Sequence, residues 1–226
     1  VHSIRMAAYR NISPGFGTPA DDQPPSEFDY DMWLGPAPKR AYNPHRGLYH
    51  FRWYWDYSGG QMTNLGAHSI DIAQWFMNVP GPSAVTSSGG RLVIKAAGET
   101  PDTQDALFEY PGFTSIWSHR EASLGSGRGN FGVEFFGTKG MMGVGRGGFE
   151  VFSDNKSDPA NSTPVFKGHP GGGPQRSQTK PEPWTQAMKE KGSSDEQLDL
   201  HVRNCLDCIK SRQRPIADVE EGHKTA

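Results

Sequence analysis

Residues 104–122 read QDALFEYPGFTSIWSHREA. Two runs rich in aromatic and aliphatic residues, Gln104–Tyr110 and Thr114–Ala122, flank the pair Pro111-Gly112, and together they read as two strands joined by a tight turn. Working outward, Ala84–Ile94 on one side and Gly132–Phe136, Met141–Val144 and Phe149–Ser153 on the other have the same character, with Thr138-Lys139-Gly140 as a further turn. Val1–Arg10 adds another strand, in which Ile4, Met6 and Ala8 alternate with polar neighbours. No helical pattern interrupts the central series. Short strands that follow one another without crossover helices predict an antiparallel sheet rather than a parallel one.

Helical periodicity lies on both sides of this series. One helix is expected from Thr63 or Asn64 to Met77, stopped by Pro80-Gly81-Pro82. Two more are expected near Pro183–Lys191 and Glu196–Lys210, the second carrying Leu198, Val202, Cys205, Leu206 and Ile209 at helical spacing. After Pro215, the segment ADVEEGHKTA opens another helix with Asp218 as its cap. Residues 11–48 form a long arm rich in Pro, Gly and Asp, and 154–183 a second loop of similar composition that reads as flexible. The fold class is α+β, with a large open, mainly antiparallel sheet and helices on one face. Residues 1–226 read as one domain. A strand at full strength on Val1 and a helix cut after about two turns lead us to expect that both ends continue in a longer protein.

Bulk properties exclude several classes. The net charge is −2, from 23 basic and 25 acidic residues, with no long run of one sign. A nucleic-acid or anionic-membrane partner needs a basic stripe, and none is present. No apolar stretch is long enough to predict a membrane span. Two cysteines, Cys205 and Cys208, exclude a disulfide framework, and without a second pair they read as small apolar residues. His2, His45, His50, His119, His169 and His223 lack metal-ligand spacing, so no metal site is expected. Gly125-Ser126-Gly127-Arg128-Gly129 looks like a phosphate loop but leads into a strand rather than a helix, and Gly171–Gly173 lacks the lysine-serine sequel of such a loop.

The chemistry-bearing stretch is Gly59-Gly60-Gln61-Met62-Thr63-Asn64-Leu65-Gly66-Ala67-His68-Ser69-Ile70-Asp71-Ile72-Ala73-Gln74-Trp75. On a regular helix, Asn64, His68, Asp71 and Trp75 share one face, while Leu65, Ile72 and Phe76 lie on another and can pack on the sheet. A stripe of Asn, His, Asp and Trp is a poor core face and a sensible pocket wall. Histidine titrates near neutral pH and can take and return a proton. Asn64 and Asp71 can orient its ring. The competing reading, a histidine that only bonds a neighbour, stays open from this helix alone.

Several motifs occur together in order. They are Asp31-Met32-Trp33-Leu34-Gly35-Pro36-Ala37-Pro38, then Trp53-Tyr54-Trp55-Asp56-Tyr57-Ser58-Gly59-Gly60, then Asn64-Leu65-Gly66-Ala67-His68-Ser69-Ile70-Asp71. Glu99–Thr103, Phe136–Gly140 and His201–Cys208 extend the match along nearly the whole chain. The sequence resembles the substrate-side, C-terminal domain of the Gfo/Idh/MocA oxidoreductases, and most closely their bacterial sugar-oxidoreductase branch. The resemblance implies an N-terminal Rossmann domain that binds NAD or NADP and is absent from this chain. It implies a sugar, cyclitol or related polyol as substrate, and a homo-oligomer formed through the sheet face. It further implies that His68, with a lysine from the absent half, flanks the substrate hydroxyl. A family aspartate falls at Asn64, and an amide there can orient a neighbour but cannot act as a base. Trp33, Arg52, Trp53, His201 and Asn204 are the implied pocket residues.

Read without the resemblance, Arg52 is either a ligand-binding guanidinium among aromatics or a surface arginine stacked on them. The helix of His201 either borders a pocket or packs with its polar side in water. At the level of the whole chain, the rival to an oxidoreductase domain is a stand-alone carbohydrate-binding or oligomerisation module, since a chain without the GxGxxG unit is expected neither to bind a dinucleotide tightly nor to transfer hydride.

Overall fold

The structure, a computed structural model, describes residues 1–125, 131–156 and 182–225. Most of the expected 154–183 loop, the segment 126–129, His169 and Gly171–Gly173 lie outside the described residues. In chain order the elements are β1 (Ser3–Tyr9), α1 (Tyr30–Leu34), α2 (Ala67–Met77), β2 (Ala84–Gly90), β3 (Thr103–Tyr110), β4 (Phe113–Arg120), β5 (Phe131–Gly137), β6 (Gly140–Gly145), β7 (Gly148–Ser153), β8 (Met188–Lys191), α3 (Ser194–Ser211) and α4 (Val219–Thr225).

The eight strands form one open sheet in the order β2-β3-β4-β1-β5-β6-β7-β8. Every neighbouring pair is antiparallel except β1 and β4. The first strand is inserted in the middle of the series, so it meets β4 in parallel and β5 in antiparallel register, with Met6 opposite both Trp117 and Val133. One face of the sheet is covered by α2. Ile4, Met6, Trp117, Val133 and Phe135 are buried there against Ile70 and Ala73, with Leu65 and Ile72 packed at the margin. Phe76 adds a ring contact to Phe135 at 4.4 Å. The helix stops at Asn78, whose left-handed backbone caps the last turn through its N–H to the Gln74 and Trp75 carbonyls, and Pro80 follows. The opposite face carries the ion pair Arg5–Glu134, with Ile116 and Phe152 partly exposed.

Three expectations are corrected. Ala84–Ile94 is strand only to Gly90, because the buried Asp102 carboxylate takes the backbone N–H groups of Leu92, Val93 and Ile94 at 3.1, 2.9 and 2.7 Å. Those donors are then satisfied by a side chain instead of a neighbouring strand. The helix expected near Pro183–Lys191 is instead an extended segment ending in β8, which pairs with the open edge of β7. An unpaired edge recruits a nearby segment whatever its local propensity. The helix expected from Thr63 or Asn64 begins with a π-turn, described below. Asp218 does cap α4, accepting from Glu220 and Glu221 N–H at 3.0 and 3.1 Å.

The core contains a pH-sensitive group. His119 on β4 is fully buried, its Nε2–H donates to the Pro101 carbonyl at 3.1 Å, and its Nδ1 has no partner. Burial depresses its pKa below 6.5. The unfolded chain therefore binds a proton that the folded chain does not, in the window from about pH 6.5 down to the depressed value. His119 thus leaves stability intact above about pH 6.5 and erodes it as pH falls through that window. Urea unfolding of the wild type against His119→Gln should show a wild-type loss on acidification that the variant largely lacks. Parallel pH curves would rule out the assignment.

Candidate functional site

Gly60 sits at φ +68°, and a Cβ there would come within 2.6 Å of Thr100 Oγ1, so only glycine turns the chain at this point. Directly after it, Met62–Gly66 forms one π-turn in which the Gly66 N–H donates to the Gln61 carbonyl at 2.8 Å. Such a turn inserts one residue into the helical register and is frequent at functional sites. It breaks the regular spacing between Asn64 and the residues that follow. His68, Asp71 and Trp75 lie together on the exposed side of α2. Asn64 is half-buried and its Nδ2 lies 3.4 Å from Gln61 Oε1. Gly66 packs so closely on Trp117 that an added Cβ would lie 3.3 Å from its ring.

Asn64 is the outer member of a buried polar network. Glu121, 1% exposed, accepts from Trp53 Nε1 at 2.8 Å, from Gln61 Nε2 at 2.7 Å and from Arg10 Nη2 at 2.6 Å. The Arg10 guanidinium also lies over the Trp53 ring at 5.3 Å. A buried carboxylate is tolerable only when its lone pairs are filled and its charge is matched, and both conditions hold here. Trp53, expected to line a pocket, is instead 2% exposed and anchors the arm to the sheet. Sequence reasoning missed Glu121, Gln61 and Arg10. One signal for Glu121 was present, since it shares β4 strand parity with Trp117 and His119, which both face the core.

The other implied pocket residues separate into two groups. Asp71 and Trp75 on α2, His201 and Asn204 on α3, and Arg214 and Glu221 near α4 wall a single open cavity of about 1010 Å³. Asn204 has a structural duty there, its Oδ1 accepting the Ile216 N–H at 3.0 Å. Burial, followed by the charge of Glu221, raises the Asp71 pKa above its usual range, partly offset by His68. Trp33 and Arg52 lie outside that cavity. Trp33 stacks on Tyr30 at 5.9 Å and meets Tyr57 edge-on at 5.1 Å within the arm, where burial pushes the Tyr57 hydroxyl up to about 12. Arg52 lies 4.8 Å over both the Tyr49 and Phe51 rings and donates to the Tyr49 carbonyl at 2.8 Å, the stacked-arginine arrangement. Loss of Trp53, Trp33 and Arg52 from the cavity leaves α2, α3 and α4 as its sources.

A family model described as "Oxidoreductase family, C-terminal alpha/beta domain" (GFO_IDH_MocA_C2) matches residues 15–104, which span the arm, the π-turn and α2. Over those residues the chain is similar to the C-terminal domain of the Gfo/Idh/MocA oxidoreductases. Its fold is similar to that of a protein assigned as an NADPH-dependent oxidoreductase from Desulfitobacterium hafniense, at 16% identity over 100% of this chain and 52% of that one, TM-score 0.53. It is similar also to GenD2 from gentamicin A biosynthesis, solved with NAD, at 17% identity over 100% and 50%, TM-score 0.52. The WlbA dehydrogenase from Chromobacterium violaceum, solved with NADH and UDP-GlcNAcA, matches at 15% identity over 99% and 49%, TM-score 0.50. No curated protein matches the chain. The chain spans about half the length of these structures. At such identities the likeness establishes the fold alone.

Among the described residues, the start of α3 does not fit a dinucleotide. Among them, β8 runs into α3 through Gly192-Ser193. The Ser193 side chain already accepts from the first turn of α3, and Asp195 and Glu196 occupy that turn. Two carboxylates at a helix N-terminus oppose a pyrophosphate electrostatically. What the chain offers is the exposed pair His68 and Asp71 on α2, with Asp71 also on the wall of the open cavity.

Proposed function

We propose that this domain is the substrate side of an NAD(P)-dependent oxidoreductase acting on a sugar, cyclitol or related polyol, with the dinucleotide held by a separate Rossmann half. The observation that carries the reading is the placement of His68 and Asp71 on one exposed face of α2, at the exit of the π-turn, with Asp71 also facing the cavity. The nicotinamide supplies the hydride acceptor or donor. The chain's own part is to hold the ring and move the hydroxyl proton. His68 takes or returns that proton and the Asp71 carboxylate steadies the imidazolium, while Asn64 stays bonded to Gln61 at the edge of the buried network. His201 borders the substrate, while Asn204 keeps the α3–α4 connection in place. The sheet face that carries Arg5, Glu134, Ile116 and Phe152 serves as the contact between copies.

The test is label transfer in a protein that joins this domain to its dinucleotide-binding half. With a polyol deuterated at its carbinol carbons, the label should appear in the reduced nicotinamide. Ring binding without label transfer would favour the stand-alone binding module instead.

A further inference from the structure

The cavity between α2, α3 and α4 has a charge pattern that selects among polyhydroxylated ligands. Trp75 is 75% exposed at its wall, a large apolar face available to stack on a sugar or cyclitol ring. Amides from Asn78 and Gln197 lie around the same opening and can bond hydroxyls. The cavity's cations are already matched. Arg214 pairs with Asp218, with Glu220 at 3.1 Å and with Glu221 at 3.4 Å, and Lys224 pairs with Glu221 at 3.0 Å. Asp71 is different. Among the described residues no Lys or Arg pairs with it, and the charges that act on it are Glu221, which opposes its ionisation, and His68, which favours it.

We infer that this cavity takes an amine-bearing sugar or cyclitol, its ring stacked on Trp75 and its ammonium paired with Asp71, and that it rejects acidic sugars. An anionic ligand would have to displace Glu220 or Glu221 from Arg214 and would meet Asp71 uncompensated. An ammonium fills the cavity-wall carboxylate that, among the described residues, has no Lys or Arg partner. The inference rests on the substrate-side reading above for its ligand class, and its amine preference rests on Asp71 alone.

Three probes that differ only at C6 decide it: methyl 6-amino-6-deoxyglucoside, methyl glucoside and methyl glucuronide, titrated into the 226-residue chain at pH 7.5 and followed by NMR. The expected order of affinity is amine, then hydroxyl, then carboxylate. The amine advantage over the hydroxyl should be roughly threefold to fivefold, the upper part of the range for an exposed charge pair. Asp71→Asn should bring the amine and hydroxyl probes within twofold of each other, and Trp75→Ala, at an exposed position that spares the fold, should abolish binding of both. Carboxylate binding as tight as amine binding, an amine preference that survives Asp71→Asn, or no binding of the amine and hydroxyl probes at millimolar concentration would each overturn the inference. Failure here with label transfer intact in the joined protein removes the amine assignment alone. Amine binding without label transfer removes only the oxidoreductase reading.

Discussion

Replacing His68 with alanine, in a protein that carries both halves, should lower kcat by about 10²–10⁴-fold, the usual worth of a positioned general acid–base. His68 is exposed on α2, away from the core and from the Glu121 network, so its removal leaves packing intact. Dinucleotide affinity should stay within about twofold, because the proposed role of His68 is at the substrate hydroxyl and the dinucleotide is assigned to the Rossmann half. Steady-state kinetics with a separate cofactor titration reads both quantities. A variant that retains more than a third of wild-type kcat would take His68 out of the chemistry. A parallel fall in cofactor affinity would place it at the dinucleotide.

Glu121→Ala should cost about 3–5 kcal/mol of folding stability, the range for breaking a buried charge pair from one side. The loss has three parts. The Arg10 guanidinium, 28% exposed, keeps its charge with no carboxylate beside it. Trp53 Nε1 and Gln61 Nε2 lose their acceptor in a site closed to water. Gln61 then no longer fixes the start of the π-turn from which Asn64 projects. Glu121→Gln keeps one carbonyl acceptor and loses the charge, so it should fall between wild type and alanine. Urea denaturation midpoints at constant m-value measure the series. An alanine variant within about 1 kcal/mol of wild type would show that the carboxylate carries no structural weight.

The sheet was legible because its evidence is local. The turn at Pro111-Gly112 and the unbroken series of short strands specify antiparallel neighbours with little reference to distant residues, and β3 through β7 fall within a residue or two of where their patterns place them. Ile4, Met6 and Ala8 likewise declare the buried side of β1. Nothing local says that β1 enters between β4 and β5. That insertion is a non-local pairing whose partners lie more than a hundred residues away, and it makes the one parallel contact among the described strands.

The site divides along the same line. The residue types that can move a proton, His68 and Asp71, stand out in sequence because helical spacing projects them together, and α2 preserves that spacing. Asn64 was grouped with them on the assumption of a regular helix, and the π-turn altered its place. The resemblance implies Trp53 and Arg52 as pocket residues, yet Trp53 is consumed by Glu121 and Arg52 by Tyr49 and Phe51. Side-chain chemistry and short-range periodicity determined β1, β3 through β7 and the α+β class from sequence alone, and they put His68 and Asp71 forward as a candidate pair. The tertiary structure decided which polar groups were free to act, because that depends on partners brought together from β1, β4 and the arm, and a hydrogen bond to a distant residue leaves no periodic trace in the chain.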